Sequence, residues 1–141
     1  MHNNFEIQIK VPNQTSYLSL IGRIGEIVVW ELDCFSESRE ILAHHLNVVL
    51  TEALVNAIKH ANAGDPEKYV NISIKISKNE LLICVYDKGQ GFDLESVHSP
   101  CFDKNNLEEA GRGLYIIKTL MDSVVYRNVD DGNVLEIKKT I

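Results

Sequence analysis

Residues 49–60 read VLTEALVNAIKH, and this stretch decides the fold. Leu50, Leu54, Ala57 and Ile58 fall three and four apart, the spacing that gathers apolar side chains on one face of an α-helix. Glu52, Asn56 and His60 recur every four residues and form a polar stripe on the same helix. Upstream, Leu42, Leu46, Val49 and Ala53 continue the apolar pattern. The helix therefore begins after Ser36 or Ser38, both N-cap types, and runs to about Asn62. Gly64-Asp65-Pro66 stops it.

Asn56 needs a reason, because an Asn amide competes for backbone hydrogen bonds and weakens a helix interior. A solvated stripe on an amphipathic helix is one account, and such stripes are common. A metal and base site is the other. A carboxamide oxygen is a hard ligand suited to Mg²⁺, which takes waters and substrate phosphates as its remaining ligands. A carboxylate one turn earlier, Glu52, could orient or deprotonate a nucleophile beside a γ-phosphate. His60 lies nearer the helix end, where positive charge favours the macrodipole, so capping or packing accounts for it equally well.

Working outward, Phe5 to Val11 alternates apolar and polar residues as a half-buried strand does, and Pro12-Asn13 closes it. Ser16 to Leu32 carries apolar residues at helical spacing. Val70 to Ser77 and Leu81 to Asp87 form a hairpin about Lys78-Asn79-Glu80. An irregular segment from Lys88 to Ala110 follows, long enough to suggest a functional lid. Gly111-Arg112-Gly113 then opens a short helix to about Met121. Val124 to Val129 and Val134 to Lys139 close the chain as a hairpin with Asp131-Gly132 at its turn. The order predicts a single α+β domain over residues 1–141: a two-layer sandwich with a mixed, mostly antiparallel sheet and helices on one face. It lacks the βαβ alternation of a doubly wound sheet.

The 141 residues suffice for a core without metal or disulfide staples. A net charge of -6 argues against a protein built to bind nucleic-acid backbone, which needs clustered Lys and Arg. Cys34, Cys84 and Cys101 are odd in number and show no C-x-x-C spacing, as expected of reduced thiols in a cytoplasmic protein. No apolar signal core starts the chain, and no apolar run approaches a bilayer's thickness, so no membrane association is expected.

Two glycine-bearing segments add to the stripe. Asp87-Lys88-Gly89-Gln90-Gly91 puts an acceptor at a strand end with two glycines behind it. That is ordinary turn chemistry, or it is a base-reading site, where Asp accepts from an amino group and glycine leaves room for a flat ring. Gly111-Arg112-Gly113 precedes a helix whose free N–H groups could receive phosphate, although a flexible loop end explains a lone G-x-G as well.

In order and spacing these three pieces resemble the GHKL superfamily of gyrase, heat-shock chaperone, histidine kinase and mismatch-repair ATPases. The resemblance covers roughly residues 40 to 140. The pattern Glu52, Ala53, Asn56, Ala57, His60 is similar to the branch of anti-sigma-factor serine kinases. A histidine kinase would need an upstream helix with a phospho-accepting His, for which the chain leaves no room. The resemblance implies that ATP binds between the second helix and the lid. Asp87 would read adenine, Gly89 and Gly91 would leave space, and Asn56 would hold Mg²⁺. The backbone of Gly111 and Gly113 would cradle phosphates, with Arg112, Lys59 and His60 nearby, and Glu52 would be the catalytic base. The family often has Thr after the Gly of the last hairpin, contacting adenine. Here Asn133 and Val134 follow Gly132, and only Asn133 offers a polar group. The implied partners are a sigma factor and an anti-sigma-factor antagonist whose serine is phosphorylated, and the implied assembly is a homodimer. A nucleotide-responsive binding module without kinase activity, and a plain ATPase, would use the same Glu52 and Asn56.

Overall fold

The structure is a computed structural model and describes residues 4–31, 38–89 and 109–141. Strand β1 (Phe5–Pro12) leads through a 3-10 turn (Thr15–Tyr17) into α1 (Leu18–Glu31). Then come α2 (Arg39–Val55), which continues as a π-helix over Asn56–Ala61, and the hairpin of β2 (Tyr69–Ser77) and β3 (Glu80–Asp87). Helix α3 (Glu109–Leu120) and the hairpin of β4 (Ser123–Val129) and β5 (Gly132–Thr140) complete the chain. Gly91, Cys34, Cys101 and the expected lid from residue 90 to 108 lie outside the described residues.

The five strands form one sheet in the order β1-β2-β3-β5-β4. All four pairings are antiparallel, so the expected mixed sheet is corrected. The reason lies in the connections. Two helices between β1 and β2 bring the chain back running the opposite way, and β2 pairs antiparallel with β1. Among the described residues one helix, α3, separates β3 from β4; the two strands run parallel, but β5 lies between them and no parallel ladder forms.

Alternation decides which face is covered. Ile72, Ile74 and Ile76 stand opposite Val85, Ile83 and Leu81, and Leu135 and Ile137 extend the layer, all buried under the helices. Leu42, Leu46, Leu50 and Leu54, one per helical turn, are fully buried and give α2 its seat on the sheet. Each such side chain contributes roughly 1.5–3 kcal/mol of burial free energy. By length and hydropathy alone residues 39–61 would pass as a membrane span, against the expectation that no run comes close. Their apolar face is spent on the sheet instead.

The last turn of α2 is not an ordinary α-helix end. The N–H of Asn62 donates to the carbonyl of Ala57 at 2.8 Å, five residues back, and that of Gly64 donates to Ile58 at 2.8 Å. Ala63 and Gly64 take left-handed φ values of 52° and 67° to turn the chain out. Widened turns of this kind often occur at functional sites. This one begins at Asn56.

Candidate nucleotide site

Glu52 and Asn56 stand on successive turns of the α2 helix. Glu52 is half-buried, whereas Asn56 is only 2% exposed, so of the two accounts of the stripe the solvated one does not hold at Asn56. Helix α3 is what covers it. A Cβ built on Gly113 would stand 2.8 Å from Glu52 Oε2 and 3.4 Å from Asn56 Nδ2. Glycine here lets α3 lie close to both polar groups without displacing the Glu52 carboxylate. The first and third segments singled out in the sequence therefore meet at Gly113.

The role expected for Gly113 changes with this placement. Among the described residues helix α3 runs from Glu109, two residues before the expected opening, so Gly111 lies within it and Gly113 past its first turn. Past the first turn a helical N–H is bonded within the helix and is not free for phosphate. Gly113 supplies close approach. Arg112 between them is exposed, as is Lys59.

The Nδ2 of Asn56 is buried and has no hydrogen-bond partner among the described residues, and His60 Nε2 is in the same state. A buried unpartnered polar atom costs about 1–3 kcal/mol and calls for a ligand or water to satisfy it. Amide oxygen and nitrogen are interchangeable in shape, so a 180° rotation presents the oxygen at this position. Among the described residues no group of three His, Cys, Asp or Glu side chains could hold a metal alone. The arrangement fits a cation that takes one protein oxygen and completes its shell with phosphates and water.

The second half of the site is the end of β3. Asp87 is 4% exposed. Its Oδ1 accepts from the Gly89 N–H at 3.0 Å and from the Asn133 side-chain amide at 2.9 Å, and its Oδ2 accepts from the Tyr126 hydroxyl at 3.0 Å. Asn133 also donates to the Gly89 carbonyl at 3.0 Å. The expected Asp87, Gly89 and Asn133 are thus one hydrogen-bonded cluster. Burial, and then nearby Glu136, push the Cys84 thiol above its ordinary value, but Cys84 alternates with Asp87 onto the opposite sheet face.

Two residues join the halves and were not anticipated. Asn62, fully buried, accepts from the Lys88 N–H at 2.9 Å and donates to Asn13 Oδ1 at 3.1 Å. Asn13 in turn donates to the Asp65 carbonyl at 2.9 Å. A Cβ on Gly89 would collide with the Ala61 carbonyl, so the segment after Asp87 is seated directly on the widened end of the second helix.

Residues 19–139 match the family model described as the histidine kinase-like ATPase domain. The chain belongs to that family. This histidine kinase-like ATPase domain is 30% identical over 135 residues to Serine-protein kinase RsbW of Bacillus subtilis (strain 168), covering 91% of the chain and 82% of that protein. It is 32% identical over 143 residues to Serine-protein kinase RsbW of Staphylococcus aureus (strain MSSA476), covering 96% and 86%. Among solved structures, the histidine kinase domain from the Erythrobacter litoralis EL346 blue-light activated histidine kinase shares the fold, with a TM-score of 0.55 at 17% identity. That match covers 92% of this ATPase domain and 61% of the solved chain.

Gly113→Ala isolates the close approach. Alanine raises helix propensity by about 1 kcal/mol, while its methyl group pushes against the flexible Glu52 carboxylate. The domain is expected to melt no lower than the parent and to bind Mg·ATP at least several-fold more weakly. Thermal melting and calorimetric titration check the two halves, and unchanged affinity would separate Gly113 from the site.

Proposed function

We propose that the chain is an ATP-dependent serine-protein kinase that also acts as an anti-sigma factor, in the cytoplasm of a bacterium. It phosphorylates a serine of an antagonist protein and, in the alternative complex, sequesters a sigma factor. The observation that carries this reading is the meeting of Glu52, Asn56 and Gly113, a carboxylate and an unsatisfied carboxamide held together beneath α3. The likeness in sequence to proteins named as serine-protein kinases supports it.

Bound Mg·ATP would supply the phosphoryl group and the neutralising charge for its transfer. Asn56 would be the protein's ligand to Mg²⁺. Asp87 would accept from the exocyclic amino group of adenine, because a carboxylate can only accept. Gly111, near the described beginning of α3, would face a phosphate, with Arg112, Lys59 and His60 as further candidates. Glu52 would orient the serine hydroxyl and take its proton. Positioning and electrostatics account for most of such a transfer.

The test is incubation with γ-labelled ATP, Mg²⁺ and the antagonist, beside the antagonist with its serine replaced by alanine. Label on the intact protein alone supports the kinase. Bound ATP with no label on either would overturn it in favour of a nucleotide-responsive binding module.

The homodimer is part of the proposal. Leu20, Ile27 and Trp30 of α1 are each more than half exposed, and a mostly apolar groove lined by Phe5, Ile7, Ile24, Ile27, Val28 and Glu31 runs between α1 and the edge strand β1. Apolar surface beside an open strand edge is what a second copy would cover. Sedimentation is expected to give twice the 15.9 kDa chain mass, and Ile27→Glu to give the chain mass alone. A monomeric parent would remove the dimer.

A further inference from the structure

The carboxylate of Asp87 is engaged on both oxygens before any nucleotide arrives. Oδ1 takes two donors, the Gly89 N–H and the Asn133 amide, and Oδ2 takes one, the Tyr126 hydroxyl. A carboxylate offers about four acceptor positions, so among the described residues these three donors leave about one, on Oδ2. Where that position points depends on Tyr126. The terminal torsion of an Asp side chain is broad and roughly two-fold, so each added donor narrows it, and Tyr126 is the donor on the oxygen that keeps the open position.

Tyr126 comes from β4, and β5 lies between β4 and the β3 strand that carries Asp87. In register it stands opposite Leu135, while Asp87 stands opposite Asn133. Its side chain therefore reaches across β5 on the helix-covered face, and its ring is packed against the core. A ring held by packing delivers its hydroxyl to a fixed point, with little conformational freedom left to lose. We propose that Tyr126 is a specificity-determining positioning residue. It orients Asp87 so that the remaining acceptor position selects a purine nucleotide with an amino group at ring position 6 over one with a carbonyl there.

The inference rests on the proposed role of Asp87 as the base acceptor. The proposed role of Tyr126 runs through Asp87, to which its hydroxyl donates. Its hydroxyl would also satisfy itself on Asp87 if the contact were only structural, since a buried Tyr O–H needs a partner. The two roles differ in what they do to selectivity. A structural contact supports the pocket for every nucleotide alike, whereas an orienting contact matters only to the base that uses Asp87.

The experiment measures the affinities of Mg·ATP and Mg·ITP, which differ at ring position 6 and the adjacent N1, by calorimetry. The proteins are the parent, Tyr126→Phe and Asp87→Asn, with melting of each without nucleotide as the check on folding. Phenylalanine keeps the ring packing and removes only the donor. The parent is expected to prefer ATP by about 10-fold or more, the scale on which hydrogen bonds to charged groups discriminate. Tyr126→Phe should lose roughly 5-fold for ATP and little for ITP, so that the preference shrinks. Asp87→Asn should abolish it. Equal losses for both nucleotides in Tyr126→Phe, or an undiminished preference for ATP, would overturn the role of Tyr126 and leave Asp87 as the reader. A parent that binds ATP and ITP equally would overturn the base-reading role of Asp87 itself, and this inference with it.

Discussion

Glu52→Gln is expected to leave Mg·ATP bound and to slow serine phosphorylation by roughly 10²-fold or more, the lower end for loss of a general base. Gln keeps the size of the side chain and one acceptor oxygen, but it cannot take a proton. The contact with α3 is preserved, because Gly113 leaves room for the end of this side chain and Gln ends at the same place. Affinity for ATP should hold or rise, since a negative charge leaves the neighbourhood of the phosphates. Single-turnover transfer and equilibrium binding, measured on the same preparation, separate the two effects. Normal transfer would leave Glu52 as a half-buried surface residue. Loss of binding together with transfer would make it structural.

Asn56→Ala is expected to abolish Mg²⁺-dependent ATP binding and, without nucleotide, to raise the melting temperature by a few degrees. Both signs come from one observation. The buried Nδ2 has no partner among the described residues, so its removal relieves a desolvation cost of about 1–3 kcal/mol. Alanine is also the better helix former, by roughly 0.5 kcal/mol. Burial of an unpaired amide is a cost in the empty protein that a bound cation would offset, the usual trade between stability and activity. Calorimetry with Mg·ATP and melting without it decide the two signs separately. Unchanged affinity would remove Asn56 from the site, and a lower melting temperature would show that its amide is satisfied after all.

Much of this arrangement was legible in the sequence because it is local. The alternation in Phe5 to Val11, the apolar spacing of the second helix and the two hairpins each follow from period and turn chemistry, and the strands and helices stand within a few residues of where these place them. The misplaced features are those that tertiary contact decides. A helical wheel puts Glu52, Asn56 and His60 on one stripe but cannot tell that α3 covers it. The π-turn after Asn56 has no propensity signature. Gly111-Arg112-Gly113 marks the opening of α3 in the sequence, but both glycines lie within the helix, where Gly113 meets Glu52 and Asn56, a contact no local pattern shows.

The missed residues are long-range partners. Asn13 and Asn62 lie 49 positions apart, each beside ordinary turn residues, and nothing local marks them as a pair. Tyr126 left a fainter signal, as a Tyr on the core-facing side of a strand whose hydroxyl needs a partner. The parallel relation of β3 and β4 was also concealed, because β5, the strand that separates them, comes last in the chain.

The central claim is that Glu52, Asn56 and Gly113 surround the metal end of a bound nucleotide, and paramagnetic replacement tests it most directly. With Mn²⁺ in place of Mg²⁺ in the ATP complex, amide resonances near the ion broaden while distant ones stay sharp. The side-chain amide of Asn56 and the backbone amides of Glu52 and Gly113 are expected to lose intensity first, with those of Lys75 and Cys84 on β2 and β3 unaffected. Sharp signals from Asn56 and Gly113 while other residues broaden would place the metal elsewhere and contradict the claim.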